Sequence, residues 1–204
     1  MITLYHAPPS RSLVAQRMLE ELEVPYEMHL IDLNKGEQKS PAYLKINPMG
    51  KVPAIDHDGV IVTENAAICC YLADAFPDRQ LNVPIGDKRR GTYLKWLFFG
   101  PGCVEPAFID RALKRDQGPD RMLGYGTLEQ TMGVIEDAVR GQPFLLGEQF
   151  TAADVVISMG VGYAVMTKVF EPPPVLADYL QRCGDRPAQA RVNEKNAPLM
   201  QPRG

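Results

Sequence analysis

The sequence predicts a two-domain protein in which an α/β domain is followed by an all-helical domain. With 204 residues, the chain lies between the usual length of one domain and that of two. Strand and helix signals alternate before residue 78, whereas only helical signals follow residue 86. The segment between them, residues 79–86, carries Pro84 and Gly86 with few large apolar side chains, which is typical of a linker. We therefore expect domains at residues 1–78 and 87–204.

The first domain is expected to contain a βαβ unit followed by a β-hairpin. Ser10 or Ser12 can cap its first helix, and Gly59 supplies the positive φ that the hairpin turn needs. The predicted order of elements is β-α-β-α-β-β-α, which is that of a thioredoxin-like fold. The elements lie at about residues 2–5, 10–23, 26–33, 40–46, 52–55, 60–62 and 64–76.

The second domain is expected to consist of helices. Gly100-Pro101-Gly102 should kink the first of them, because proline lacks a main-chain donor and clashes with the preceding turn. Thr151 and Asp154 have the spacing of a capping box, so we assign them a role in folding only. The helices are predicted at about residues 87–115, 121–140, 152–168, 175–183 and 187–195.

Composition and charge exclude several classes of protein. A hydrophobic fraction of 45% and a charged fraction of 23% are those of an ordinary globular chain. The net charge of -3 argues against nucleic acid as the main partner, because phosphate neutralisation needs a basic surface. The longest uncharged run, residues 155–167, is shorter than the ~20 residues that span a bilayer. No signal peptide is visible after Met1, so we expect a cytoplasmic protein that does not enter membranes.

The cysteines and histidines predict neither disulfides nor a metal site. The histidines are scattered and no C-x-x-C motif is present, so a structural zinc site is not expected. Reduced thiols are the expected state of the cysteines, which stand at Cys69, Cys70, Cys103 and Cys183 without framework spacing.

Several short motifs resemble those of the cytosolic glutathione transferases, in the same order and over essentially the whole chain. The strongest is Asn-Pro-Met-Gly-Lys-Val-Pro-Ala at residues 47–54, followed by Thr-Glu-Asn-Ala-Ala-Ile at residues 63–68. The remaining matches are the first strand, the serine-bearing turn at 10–12, and residues 19–27, 150–154 and 186–188, the last typical of bacterial members. The resemblance implies a thioredoxin-like glutathione-binding domain, glutathione as co-substrate without a metal, and a homodimer.

The resemblance implies that the 47–54 motif binds the middle and the glycyl end of glutathione. Val52 would pair its main-chain N–H and C=O with the cysteinyl unit, like an added strand, and Pro53 would follow a cis peptide bond. Lys51 would face the glycyl carboxylate. Considered on the residues alone, Val52-Pro53 could instead open an edge strand, and Lys51 could be an ordinary solvated lysine.

Glu64 and Asn65 are implied to bind the γ-glutamyl end of glutathione. Main-chain N–H groups at a helix start, together with a side-chain amide, suit its carboxylate, and Glu64 suits its α-ammonium. The alternative is that Thr63 or Asn65 caps the helix while Glu64 complements the helix dipole. The two roles are compatible.

The thiol of glutathione must be ionised to act as a nucleophile. Its unperturbed pKa of about 8.5 leaves only about 3% thiolate at pH 7. Ser10 is the leading candidate for stabilising the thiolate, because a hydroxyl and N–H groups at a helix start can donate to an anion, with Arg11 adding positive charge. Ser12, Tyr5 and the main chain alone are the alternatives. Cysteine-dependent classes of the family are not expected, since no cysteine precedes Cys69.

The electrophile pocket is expected to be lined by the helices that follow the linker. Phe99, Cys103 and Tyr163 are candidate wall residues, although each could equally belong to an ordinary helical core. We expect an enzyme of detoxification that conjugates the glutathione thiolate to small hydrophobic electrophiles. A glutathione-dependent isomerase, dehalogenase or peroxidase, or a binding module without turnover, are alternatives on the same fold.

Overall fold

The computed structural model describes residues 1–116 and 118–200, and they form two compact units. The first unit comprises Met1–Phe76 together with residues 186–200, and the second is Pro77–Asp185. The predicted order β-α-β-α-β-β-α of the first unit is confirmed. The last helix was expected in the second domain, but it packs on the first unit.

The first unit is built on a four-stranded mixed sheet in the order β2-β1-β3-β4. The predicted parallel pair is confirmed, since β1 and β2 run side by side from Ile2 opposite Tyr26 to His6 opposite Leu30. β3 is antiparallel to both β1 and β4. The strands are β1 Ile2–His6, β2 Tyr26–Leu30, β3 Ala54–His57 and β4 Val60–Thr63.

The β3–β4 hairpin turns through two residues in the left-handed region, Asp58 at φ 51° and Gly59 at φ 90°. Two consecutive positive φ values define the tight turn that matches the twist of antiparallel strands. The turn predicted at Gly59 is therefore confirmed.

Helices α1 Ser12–Leu22, α2 Pro41–Leu44, α3 Asn65–Ala75 and α9 Pro187–Asn196 complete the first unit. Apolar side chains of β1, β3, α1 and α3 form its core, and along β1 the buried residues alternate with half-buried ones. Fully buried members of this core are Leu4, Met18, Leu19, Leu22, Ile55, Ile68 and Leu72.

The last helix, α9, is held on α1 by ion pairs. Arg186 donates from Nε and Nη2 to the carboxylate of Glu21, with Nη2 2.8 Å from Oε2. Lys195 and Arg191 both pair with Glu20, whose side chain is 5% exposed. These pairs join residues about 170 positions apart in sequence, which is why sequence motifs do not reveal them.

The regular elements of the second unit's described part are helices, as predicted, and two isolated β-bridges lie in the loop at residues 144–149. Its helices are α4 Arg90–Phe99, α5 Glu105–Leu113, α6 Leu128–Val139, α7 Ala152–Met166 and α8 Pro174–Gly184. A π-helical turn, Gly100–Val104, interrupts the long first helix where Gly100-Pro101-Gly102 predicted a kink. A Cβ at Gly100 would lie 2.5 Å from Cγ1 of Val156, so glycine is needed for α4 and α7 to pack this closely.

Two capping boxes set the starts of helices in the second unit. Asp154 accepts the main-chain N–H of Thr151 at 2.9 Å, which confirms the predicted box at the start of α7. The helix predicted from residue 121 instead begins at Leu128, because Thr127 and Gln130 form a second capping box there.

The segment predicted as a linker is packed within the second unit. Leu81 and Val83 are buried, and the main-chain carbonyl of Leu81 accepts the N–H of Ala152 at 2.8 Å. Because the segment has few apolar residues, its sequence did not indicate that Leu81 and Val83 are buried. Among residues 1–116 and 118–200, no helix is long and apolar enough to cross a membrane.

Candidate functional site

The loop between β1 and α1 places two serine hydroxyls side by side. Oγ of Ser10 and Oγ of Ser12 are 2.8 Å apart, and Oγ of Ser10 accepts the main-chain N–H of Ser12 at 3.1 Å. Ser10 therefore accepts an N–H group at the start of α1, but the N-cap residue is Arg11, so neither predicted serine occupies the cap position. Ser12 is the first residue of the helix and is not its cap.

Ser12 is fully buried and faces the strand rather than the surface. Its Oγ lies 2.8 Å from Nδ1 of His6 and accepts the N–H of Ala7 at 3.1 Å. Ser10 is only half-buried. Of the two hydroxyls, that of Ser10 is thus the one a ligand can approach.

Tyr5, the third candidate, points to the opposite face of β1 from His6, because successive side chains of a strand alternate. Its ring packs 5.7 Å from that of Tyr43 and 5.2 Å from that of His29. Burial, and then the charge of Asp56, raise the pKa of Tyr5, so it stays protonated near neutral pH.

The loop before β3 is rigidly held around Lys51. Its main-chain carbonyl accepts the hydroxyl of Tyr43 at 2.6 Å and the side-chain amide of Asn47 at 2.8 Å. The Val52–Pro53 peptide bond is cis, as the resemblance implied. The side chain of Lys51 is exposed, and Val52 is half-buried against the cluster of Ala7, Ile31 and Tyr43. Tyr43 and Asn47 thus fix the loop that contains the predicted binding residues.

The start of α3 is strained and lies against the serine loop. Glu64 is the N-cap residue with φ 68°, in the left-handed region that disfavours a side chain, and its own side chain caps nothing. The alternative in which Thr63 or Asn65 caps this helix is therefore not found. Nδ2 of Asn65 donates to the main-chain carbonyl of Arg11 at 3.0 Å, which joins this helix start to the loop of Ser10.

Two acceptor atoms near these loops are buried without a hydrogen-bond partner among the described residues. They are Oδ1 of Asn65 and Oε1 of Gln38. Buried polar atoms are almost always paired in folded proteins, so an unpaired acceptor near a surface loop is available to a donor from outside the protein. The carbonyl of Arg11 fixes the amide orientation of Asn65, and its Oδ1 can only accept.

Phe99, Cys103 and Tyr163 lie on three segments of the second unit that pack together: α4, the π-helical turn and α7. Phe99 is half-buried, with its ring 5.3 Å from that of Trp96 in an edge-to-face contact. Cys103 and Tyr163 are also half-buried, and burial raises the pKa of the Cys103 thiol. Their part in an electrophile pocket stays a prediction.

Sequence reasoning missed the residues behind the serines. His6 is completely buried, and its Nε2 lies 2.8 Å from Oδ1 of Asn196 on α9. One signal was available in the sequence. His6 follows Ile2 and Leu4 at every second position of β1, so the three side chains point inward from the same face of the strand. Nothing in the sequence pointed to Asn196, 190 positions away. No group of three or more potential metal ligands is present in the described ranges 1–116 and 118–200.

Comparison with known proteins identifies the relatives of this chain. Residues 1–74 match the family model for the N-terminal domain of glutathione S-transferase. The chain is 37% identical over 168 residues to glutathione S-transferase hmp2 of Hypomyces subiculosus, covering 76% of this chain and 78% of that one. It is also 29% identical over 213 residues to the disulfide-bond oxidoreductase YfcG of Escherichia coli, covering 94% of each.

Solved structures show the same fold. The glutathione transferase URE2P6 from Phanerochaete chrysosporium, in complex with oxidized glutathione, matches with a TM-score of 0.81 and 28% identity over 97% of each chain. The sheet and helices of the first unit define a thioredoxin-like domain. Together with the identity to hmp2 over most of both chains, they show that this chain belongs to the glutathione S-transferase family.

Proposed function

We propose that this protein is a glutathione transferase that conjugates the glutathione thiolate to small hydrophobic electrophiles. The observation that carries the proposal is the hydrogen bond from Asn65 to Arg11, at 3.0 Å. It brings the start of α3, suited to the γ-glutamyl end, next to the serine loop, suited to the thiol. The γ-glutamyl end and the thiol of one small peptide can therefore be bound within the first unit.

The γ-glutamyl group would be shared between the main chain and Asn65. The N–H groups at the start of α3 suit its carboxylate, because a helix N-terminus carries partial positive charge. The buried and unpaired Oδ1 of Asn65 suits its α-ammonium, a role that the sequence assigned to Glu64 alone. Glu64 is exposed beside it and can add a second negative charge.

The cysteinyl and glycyl units would lie along the 51–53 loop. The main chain of Val52 would pair with the cysteinyl unit, with Pro53 after it, and Lys51 would face the glycyl carboxylate. Ser10 and the adjacent Arg11 would face the sulfur. Lowering the thiol pKa from about 8.5 to about 6.5 raises the thiolate fraction roughly 25-fold. The accompanying loss of nucleophilicity reduces the net gain to about threefold, so positioning of the electrophile must add the rest.

Further features of the proposal come from the family. Phe99, Cys103 and Tyr163 would line the electrophile pocket. The protein would act as a cytoplasmic homodimer in detoxification, without a metal.

The proposal is tested by steady-state conjugation of an aryl halide and an isothiocyanate by the purified full-length chain. Turnover that saturates with glutathione is the expected result. Absence of both turnover and calorimetric glutathione binding at millimolar concentration would contradict the proposal, and binding without turnover would favour the non-catalytic module. Asn34→Ala, at an asparagine that is exposed on a different loop, is the matched control for asparagine variants of the site.

The similarity to YfcG favours a second candidate, glutathione-dependent reduction of disulfides. In this reaction the bound glutathione thiolate attacks a disulfide, forms a mixed disulfide and releases the second sulfur as thiolate. No cysteine of the chain precedes Cys69, so glutathione itself would be the nucleophile. Turnover of a small dialkyl disulfide faster than that of either electrophile would favour this activity over conjugation. An isomerase, dehalogenase or peroxidase activity would appear in the same panel with matching substrates.

A further inference from the structure

A continuous chain of hydrogen bonds, half-buried at Ser10 and buried beyond it, runs from Ser10 to α9. It passes from Ser10 to Ser12 at 2.8 Å, from Ser12 to His6 at 2.8 Å, and from His6 to Asn196 at 2.8 Å. Asn196 continues it to Gln16 at 2.6 Å. All of these residues belong to the first unit.

The direction of the hydrogen atoms in this chain follows from one main-chain carbonyl. Nδ2 of Asn196 lies 2.7 Å from the carbonyl oxygen of Val192, which can only accept. The amide orientation is thereby fixed, and Oδ1 of Asn196 is the atom that faces His6. Since this oxygen also only accepts, Nε2 of His6 must carry a hydrogen.

The same argument extends from His6 to the serines. Burial lowers the pKa of His6, so the ring is neutral near pH 7 and its Nδ1 is an acceptor. The single hydroxyl hydrogen of Ser12 is then donated to Nδ1. In the contact between the two serines, Ser10 must therefore be the donor and Ser12 the acceptor.

We propose that His6 is a positioning residue for Ser10, and that its protonation state sets the direction of the Ser10 hydroxyl hydrogen. While His6 is neutral, this hydrogen points to Ser12. When Nδ1 of His6 is protonated, it donates to Ser12, whose own hydrogen turns away from the ring. The hydrogen of Ser10 is then no longer needed in the contact between the two serines. The hydroxyl of Ser10 can instead donate it to an anion at the site. The inference rests on the proposed function only in taking this anion to be the glutathione thiolate.

The charged side chains around His6 already have partners within the protein. On the α1 and α9 side, Glu20 pairs with Lys195 and accepts the hydroxyl of Tyr26 at 2.5 Å. A cavity of about 640 Å³ borders His6 on the side of the loop after β2. The charged residues of this loop are Asp32, which pairs with Lys35 at 3.4 Å, and Glu37, which accepts the N–H of Asp32. A thiolate at Ser10 would thus be a new negative charge, and His6 is a titratable group that can respond to it in addition to the fixed charge of Arg11.

The test is a nitrogen-15 NMR titration of the histidine rings in the full-length protein. We expect His6 to be the neutral Nε2–H tautomer in the absence of ligand. With glutathione bound, its titration midpoint should rise by up to about one pH unit relative to the complex with S-methylglutathione, which cannot form a thiolate. In Ser10→Ala the difference between the two complexes should vanish.

Three results would overturn the inference: an Nδ1–H tautomer in the unliganded protein, equal midpoints in the two complexes, or a difference that persists in Ser10→Ala. A purely structural role for His6 predicts equal midpoints. Absence of glutathione binding would contradict the proposed function instead, and the tautomer of the unliganded protein would still decide the hydrogen direction. As a kinetic readout, His6→Asn keeps an acceptor for Ser12 but does not titrate. It should remove one ionisation from the pH profile of kcat/KM, and an unchanged profile would count against the inference.

Discussion

Nδ2 of Asn65 donates to the main-chain carbonyl of Arg11 across 3.0 Å, and this contact ties the start of α3 to the loop that carries Ser10. The two segments are 54 positions apart in sequence. The amide nitrogen is used inside the protein, whereas the buried Oδ1 has no partner among the described residues. Asn65 therefore uses one side-chain atom within the protein and leaves the other available to accept a hydrogen bond.

Replacement of Asn65 should weaken glutathione binding. In Asn65→Ala both the acceptor for the α-ammonium and the tie to Arg11 are lost. A hydrogen bond to a charged group contributes about 1.5–3 kcal/mol, so the dissociation constant should rise roughly 10- to 100-fold. Calorimetric titration with glutathione measures this. An affinity equal to that of the Asn34→Ala control would show that Asn65 does not contact the ligand.

Replacement of Asp154 should destabilise the fold. Its buried carboxylate accepts the N–H groups of Leu145 and Thr151, each at 2.9 Å, and the hydroxyl of Tyr179 at 3.2 Å. Asp154→Ala leaves these donors unpaired, and we expect a loss of roughly 2–4 kcal/mol in the free energy of unfolding. Urea denaturation followed by circular dichroism measures it.

The control for Asp154 is Asp137→Ala on α6, where the aspartate side chain is 80% exposed. The change at this position should alter stability by less than about 0.5 kcal/mol. Equal losses in the two variants would refute the role assigned to the buried carboxylate.

Stability should also depend on the ionisation of Glu20. Burial favours its neutral form, but hydrogen bonds from Lys195, Tyr26 and Arg191 outweigh burial and lower its pKa in the folded state. A carboxyl with a lowered folded pKa stabilises the fold fully above its unfolded pKa of about 4.3, and the contribution is lost as pH falls through the folded value. The decrease in the free energy of unfolding as pH falls should accordingly be smaller in Glu20→Gln than in the wild type.

Urea denaturation at pH 7 and at pH 3.5 measures this difference. At pH 7, Glu20→Gln should be less stable by roughly 1–2 kcal/mol, because Lys195 and Arg191 lose their charged partner. Glu27→Gln, on the exposed strand β2, is the control and should follow the wild type. A parallel loss of stability with acid in wild type and Glu20→Gln would contradict the account.

The sequence predicted those features that local interactions determine. The strand and helix order, the turn at Gly59 and the capping box at Thr151 each depend on neighbouring residues, and each is confirmed. The break in the first helix of the second unit follows from Gly100 and Pro101 in the same way. The candidate binding residues followed from the resemblance, and the structure adds the Asn65–Arg11 contact that brings two of the motifs together.

Features that depend on long-range packing could not be predicted. The docking of α9 on α1 requires charged groups such as Glu20 and Lys195 to meet across 175 positions. For the same reason, neither the sequence around His6 nor that around Asn196 indicates that the two side chains form a hydrogen bond. Tertiary structure also distinguishes Ser10 from Ser12, because only the fold determines which of the two hydroxyls is buried.

The central claim is that Ser10 donates a hydrogen bond to the thiolate of bound glutathione, and an ultraviolet titration of that thiolate in wild type and Ser10→Ala tests it most directly. The account predicts a bound-thiol pKa near 6.5–7 in the wild type and a value at least about one unit higher in the variant, with glutathione still bound. The same thiol pKa in both proteins would contradict it.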